Sequence, residues 1–408
     1  MRIDLLTREF PPHVYGGAGV HVTELARVLK LHEEVHVHAF DGPREEPVMD
    51  GISLHGYNYL AELDGANSAL KTLGVDLQMA ATVEGADIVH SHTWYANMAG
   101  HIAAMLYGIP HVISAHSLEP LRPWKREQLG GGYDVSLWIE KTAYESAAGI
   151  VAVSHAMRED ILAAYPSVDP SKVRVIHNGI NLDDWRAPAN DNERDAARQY
   201  FASYGLDPDK PTIIFVGRIT RQKGVPGLLR ALRRVDPQVQ VILCAGAPDT
   251  PEIAKETREL VSSLQAERSG IVWIEEHLPH DRIVQLESCS TVFVTPSIYE
   301  PLGIVNLEAM AVGLPVVGTA TGGIPDVIDD GVTGTLVPIE QLHDGSGTPT
   351  NPDQFEADLA AALDDMCADR DKARRMGAAG RKRAEEHFAW SAIGEKTIAF
   401  YRDILASR

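Results

Sequence analysis

Short apolar runs alternate with amphipathic stretches along most of the chain, and the alternation restarts once. The first series runs from IDLL (residues 3–6) through EVHVHAF, DIVHSH, PHVISAH and GIVAVS. Each lies beside a segment with apolar residues at helical spacing, such as Val22, Leu25, Ala26 and Leu29. The second series reads TIIFVGR, VQVILCAG, GIVWIEE, TVFVTPS and PVVGT. Both have the rhythm of βαβ units on a parallel sheet. Residues 181–210 between them are polar, with Pro and Gly breakers, and predict a connection holding one short helix. Residues 343–353 (HDGSGTPTNPD) predict a surface loop before an Ala- and Leu-rich helix. SAIGEKTIAFYRDIL predicts a helix that buries Ile393, Ile398, Phe400, Tyr401 and Ile404.

The fold class is therefore α/β, with two Rossmann-like, doubly wound domains. Ligands of such sheets bind beyond the carboxyl ends of the strands, so two facing domains would enclose a cleft. At 408 residues the chain is long for one core. The expected domains are 1–185 and 186–390. Hydrophobic content of 44% and charged content of 23% are those of a globular protein, and no apolar run reaches the length of a membrane span. The opening MRIDLLTREFPP is too short in apolar residues for a signal-peptide core. Cys244, Cys289 and Cys367 match no disulfide or metal spacing, which points to reduced thiols and a cytoplasmic location. A net charge of −20 opposes nucleic-acid binding, so basic residues near strand ends stand out.

The first such place is VYGGAGVHVTELA, residues 14–26. A glycine turn before a helix offers free N–H groups and a partial positive charge to an anion. Gly17, Gly19 and Asp41 imitate a dinucleotide fingerprint. Against that reading, Val22 stands where the third Gly or Ala belongs, and TREFPPHVY separates the turn from its strand. A turn serving chain reversal alone is the other alternative. A phosphate-facing loop, one wall of the cleft, fits best.

In the second half, FVGRITRQKG brings Arg218 to the end of a strand, and Lys223 follows five residues later. Each cation, if about 4 Å from a phosphate, contributes roughly 4 kcal/mol at an effective dielectric near 20. Realised in the transition state, that is about three decades in rate. Then comes PSIYEPLGIVNLEAMAVGLPVV, with Glu300 and Glu308 eight residues apart. Pro301 suits the first position of a helix, which would place the two carboxylates about 10 Å apart along one ligand. Backbone N–H groups of Gly303, Ile304 and Val305 would then face phosphate.

FVGRITRQKG with EPLGIVNLEAMA resembles the nucleotide-sugar half of a family-4 retaining glycosyltransferase of GT-B fold. TREFPPHVYGGAGVHVTELA, HSHTWYANMAGHIA, SAHSLEPLRPWKREQLGGGY and VIHNGI extend the likeness over essentially the whole chain. Together they are similar to the short bacterial glycogen synthases that use ADP-glucose, a group that includes α-maltose-1-phosphate synthases. The resemblance implies that Arg218 and Lys223 hold the donor diphosphate and that Glu308 bonds the ribose hydroxyls. It places Glu300 beside the transferred glucose, His116 near the anomeric carbon, and Gly16 and Gly17 at the phosphates. It also implies that a helix at 391–408 completes the first, acceptor domain, the second being the donor domain. Thr93 stands where longer glycogen synthases carry Asp, and the glycine loop lacks their Lys-x-Gly-Gly form.

The implied reaction is retaining α-1,4-glucosyl transfer. No covalent nucleophile is evident, so front-face attack is favoured, with the leaving phosphate taking the acceptor's proton. No cofactor or metal is expected. His36/His38 and His90/His92 are H-x-H pairs with no third ligand at a recognisable spacing. The acceptor is glucose 1-phosphate, giving maltose 1-phosphate, or the end of glycogen or another α-glucan. Arg122, Lys125 and Arg126 beside Trp124 in RPWKRE suit a phosphorylated sugar, or form an ordinary charged loop; Trp94 and Tyr95 are sugar platforms or core residues. A homodimer stays open. No membrane or nucleic-acid partner is expected.

Overall fold

The computed structural model describes residues 1–44, 49–246, 248–342 and 346–407. Residues 343–345 of the expected polar loop, and Arg408 of the expected final helix, lie outside the described residues. The chain forms two compact units, Met1–Gly179 with Trp390–Arg408, and Ile180–Ala389. The sequence placed these breaks at 185/186 and 390/391.

The first unit holds a seven-stranded parallel sheet: β1 (Arg2–Thr7), β2 (Glu34–Phe40), β3 (Ser53–Tyr57), β4 (Ile88–His92), β5 (His111–Ala115), β6 (Gly149–Ala152) and β7 (Val173–Val175). Their order is β3-β2-β1-β4-β5-β6-β7. The second unit holds six: β8 (Thr212–Arg218), β9 (Gln240–Gly246), β10 (Ile271–Ile274), β11 (Val292–Thr295), β12 (Val316–Thr319) and β13 (Gly334–Val337), ordered β10-β9-β8-β11-β12-β13. The order reverses between β1 and β4 and again between β8 and β11. Loops after those strands diverge and leave a crevice, the place where such sheets take ligands.

The apolar runs become central strands because both of their faces are covered by helices. The helix Gly17–Leu29 buries Val22, Leu25, Ala26 and Leu29 in the same core as Ile3 and Leu5 of β1. The helix Trp390–Ala406 adds Trp390, Ile393, Ile398, Phe400, Tyr401 and Ile404 to that core, so residues near both ends of the sequence build the first unit. Each such side chain contributes roughly 1.5–3 kcal/mol when fully buried. The connecting segment contains one helix, Asp191–Ala202, whose start is capped by the Asn190 side chain accepting from Glu193 N–H. Three strands lie outside the predicted series. β3 is a half-exposed edge strand, β7 has three residues, and β13 is GTLV, so none carries a continuous apolar run.

Candidate active site

In the second unit, β8 carries Arg218 to its carboxyl end, and the turn Arg221–Lys223 follows, capped by the Thr220 hydroxyl. Both expected cations already face carboxylates. Lys223 Nζ donates to Glu300 Oε2 at 2.7 Å, and Arg218 pairs with Asp249. The Glu300 side chain is only 7% exposed and also accepts from Ser297 Oγ at 3.1 Å. Its backbone is fixed as well, because Gly323 N–H donates to the Glu300 carbonyl at 2.8 Å. Gly322 has φ 54°, and a Cβ there would lie 2.0 Å from the same carbonyl oxygen. Lys223 and Glu300 are thus brought together and held by two loops. This is a preorganised, charge-balanced pair.

The helix after Glu300 starts later than Pro301 suggests. It spans Ile304–Val312, with Gly303 as its N-cap at φ 91°. A left-handed residue cannot continue into a right-handed helix, so Pro301 and Leu302 belong to the loop. A Cβ at Gly303 would also stand 2.6 Å from Asn306 Nδ2. Ile304 and Val305 head the helix, where N–H groups have no intrahelical carbonyl. Glu308 lies within it, its carboxyl pushed up to about 7 by burial, with Lys223 opposing. Glu287, on the helix His280–Cys289, is pushed well above the ordinary range by burial and by Glu308.

In the first unit, the loop between β1 and the helix Gly17–Leu29 is organised by a residue outside the motif. Glu9 Oε2 accepts the backbone N–H groups of Tyr15 and Gly16, each at 2.8 Å. Gly16, expected to meet phosphate, therefore spends its donor inside the loop, while Gly17 opens the helix. Gly19 packs so closely that a Cβ there would meet Glu9 Oε2 at 2.7 Å. Arg8, next after β1, lies with its guanidinium carbon 4.1 Å from the centre of the Tyr95 ring.

His116 follows β5 and its Nε2 lies 3.0 Å from His92 Nδ1, on neighbouring β4. The His21 ring stands edge-on to His116 at 4.6 Å and to Trp390 at 5.3 Å. Beneath them, His90 contacts Tyr401 Oη at 2.5 Å and Ser114 Oγ at 2.9 Å. Burial holds His90, His92 and His116 well below the usual imidazole range and His21 down at about 4. All four rings are neutral at pH 7, so His116 acts there as a dipolar hydrogen-bonding group. Among the described residues the His36/His38 pair gains a third residue, His55, from elsewhere in the fold, whereas His92 groups with His21 and His116 and without His90. Nitrogens of His21, His92 and His116 lie within 4.8 Å of one another, as do those of His36, His38 and His55.

The acceptor candidates divide. Trp94 is 3% exposed and packs with Ala69, Met98 and Ile139, so its face serves the core. Tyr95 is half-buried under Arg8. Lys125 Nζ is held by the buried Glu119 at 3.2 Å, and Arg126 by Asp134 at 2.6 Å. The basic cluster is therefore partly offset by its own loop, where Arg122 and Lys125 share Glu119, and by Asp134 of the helix Gly132–Ser146, with Trp124 half-buried beside it. Thr93 adopts φ 66°, an outlier for a β-branched residue, directly before Trp94. Glu9, Arg8, His21, Asp249 and Ser297 are the site residues that sequence reasoning missed. Only Arg8, two residues past an apolar run, had a legible signal.

Among the described residues no helix is long and apolar enough to cross a membrane. Residues 15–184 match the model of Glycosyltransferase Family 4, and residues 197–383 that of Glycosyl transferases group 1. The chain is 50% identical over 410 residues to an alpha-maltose-1-phosphate synthase of Mycolicibacterium smegmatis, covering 100% of both chains. It is 49% identical over 406 residues to that of Mycobacterium tuberculosis, again over 100% of each. A sucrose-phosphate synthase structure from Thermosynechococcus elongatus shares the fold, with a TM-score of 0.80, 24% identity and 100% coverage of both chains.

Proposed function

The chain belongs to the family-4 glycosyltransferases, and from that premise we propose that it moves glucose from ADP-glucose to glucose 1-phosphate, forming maltose 1-phosphate. The observation that carries this reading is the 50% identity, over the full length of both chains, to an enzyme named for that product. The chain itself is a hexosyltransferase, with the GT-B architecture of two parallel-sheet domains.

In this proposal Lys223 and Arg218 turn from Glu300 and Asp249 towards the donor diphosphate. The head of the helix Ile304–Val312 adds partial positive charge as the leaving group gains negative charge. Glu308 accepts the ribose hydroxyls. Glu300, freed from part of its ion pair, contacts the glucosyl hydroxyls and stabilises positive charge at the anomeric carbon. On the first unit, Gly17 meets phosphate and neutral His116 hydrogen-bonds the glucosyl group; Arg126, Lys125 and Trp124 are assigned to the sugar phosphate. The acceptor oxygen bonds to the anomeric carbon as the bond to the ADP phosphate breaks. The proton of the acceptor hydroxyl passes to the leaving phosphate oxygen. The reading needs no metal, and turnover is expected to survive chelator.

Product analysis with ADP-glucose plus either glucose 1-phosphate or glycogen tests the proposal. A large excess of maltose 1-phosphate over chain extension is expected. Glycogen elongation without maltose 1-phosphate would assign the acceptor to the glucan, and no ADP release with either acceptor overturns the donor.

A further inference from the structure

A cavity of about 430 Å³ opens in the second unit at the end of its sheet opposite Arg218 and Lys223. It lies beside the starts of β8, β11 and β12, whereas Arg218 ends β8. Seven strand residues put roughly 20 Å between the two ends. Its volume is that of a small-molecule site.

The lining runs against the charge of the rest of the chain. Arg194, Arg198, Lys210, Arg370 and Arg374 surround the cavity, while Asp209 and Glu287 are the carboxyl residues among its lining. The rest of a chain of net charge −20 offers little reason for five cations to gather there. Three of them pair with exposed carboxylates, Arg194 with Asp191, Arg198 with Asp209 and Arg374 with Asp371. Such pairs are worth little and exchange readily for a better anion. Guanidinium groups offer forked donors that match phosphate oxygens.

The second observation is Glu287. It is 1% exposed, lines the cavity, and its Oε2 has no hydrogen-bond partner. A buried polar atom left unpaired calls for a partner from outside the protein's own hydrogen bonds. Burial and the neighbouring Glu308 push its carboxyl well above the ordinary range, towards the neutral form that donates to an oxygen-rich ligand.

We propose that this cavity is an anion-binding site for a hexose phosphate, with the phosphate among the arginines and a sugar hydroxyl on Glu287. The inference does not depend on the transferase reading. The floor also includes Val312 and Gly313, where the helix Ile304–Val312 ends. An occupant would therefore touch the far end of the helix that carries Glu308.

Equilibrium dialysis of labelled glucose 6-phosphate against the full chain, saturated with ADP, tests the site. The comparison is the Arg194→Ser/Arg374→Ser variant, whose two changes are exposed and lie outside the transferase machinery. The wild type should bind about one equivalent more than the variant, or bind at least tenfold more tightly at that site. Equal binding by the two proteins overturns the proposal. Alkylation of Cys289, which lines the cavity and is half-buried where Cys244 and Cys367 are buried, localises the occupant. Glucose 6-phosphate, but not glucose, should slow its labelling several-fold in the wild type and leave the variant unaffected. Protection that persists in the variant also overturns the assignment. Circular dichroism of the variant checks that it is folded, and labelled inorganic phosphate in a parallel cell separates recognition of the sugar from that of the phosphate alone.

Discussion

Lys223→Met isolates what the ion pair with Glu300 does for folding from what it does for the reaction. At 2.7 Å the pair attracts by ~6 kcal/mol at an effective dielectric near 20. Much of that is offset by taking two charges out of water. Glu300 is 7% exposed and Lys223 20%, so removing the lysine leaves a largely dry carboxylate with Ser297 as its remaining side-chain partner. The expected loss is about 1–3 kcal/mol, below the value for fully buried pairs because Lys223 is partly solvated. For a unit of this size that lowers the melting midpoint by roughly 2–4 °C per kcal/mol. Adding Glu300→Gln removes the stranded charge, and the double variant should regain most of the midpoint. ADP release should drop by about three decades in the single variant and at least as far in the double, which regains stability but lacks both the cation and the Glu300 carboxylate. Scanning calorimetry and an ADP-release assay read the two effects. A single variant as stable as the wild type, or a double variant no more stable than the single, refutes the reasoning about a stranded charge.

Glu308, raised to about 7, binds a proton in the folded state that the unfolded chain has lost. Stability of the second unit should therefore fall as pH rises from about 4.5 to about 7 and level off above, by up to about 3 kcal/mol. Glu308→Gln should flatten that slope in calorimetric scans across pH. Tyr401→Phe takes the partner from buried His90 Nδ1 and should cost ~1–3 kcal/mol in the first unit, read as a lower midpoint. Thr93→Gly relieves a positive φ and should raise that midpoint, by about 1 kcal/mol or more. A lowered midpoint would mean that the Thr93 side chain contributes more than its backbone costs.

Buried central strands such as TIIFVGR were legible because a parallel sheet covered on both faces demands continuous apolar runs. The edge strand SLHGY was not, since one face stays in water and its residues alternate without an apolar majority. Arg218, Lys223 and Glu300 could be picked out because they sit at a strand end or beside glycine and proline, and Glu308 because it follows Glu300 by eight residues. Their pairing could not: Asp249 reaches Arg218 only because β9 lies beside β8, and Glu300 meets Lys223 across 77 residues of chain. Glu9 left no trace, because a carboxylate bonding two backbone N–H groups further along has no periodic signature. The start of the helix at Ile304 was missed because the left-handed turn at Gly303 outranks the preference of Pro301 for a first helical position.

The helix Trp390–Ala406 has a consequence for how the protein is made. Tyr401, Phe400 and Ile393 fill the core that begins with Ile3 and Leu5, yet the ribosome adds them only after the whole of Ile180–Ala389. At about 5–20 residues per second, the first unit waits roughly ten to forty seconds with that core open. The second unit is complete before the first one can close. Birth order and folding order are reversed, and the exposed apolar surface of the waiting unit is what a nascent-chain chaperone would meet.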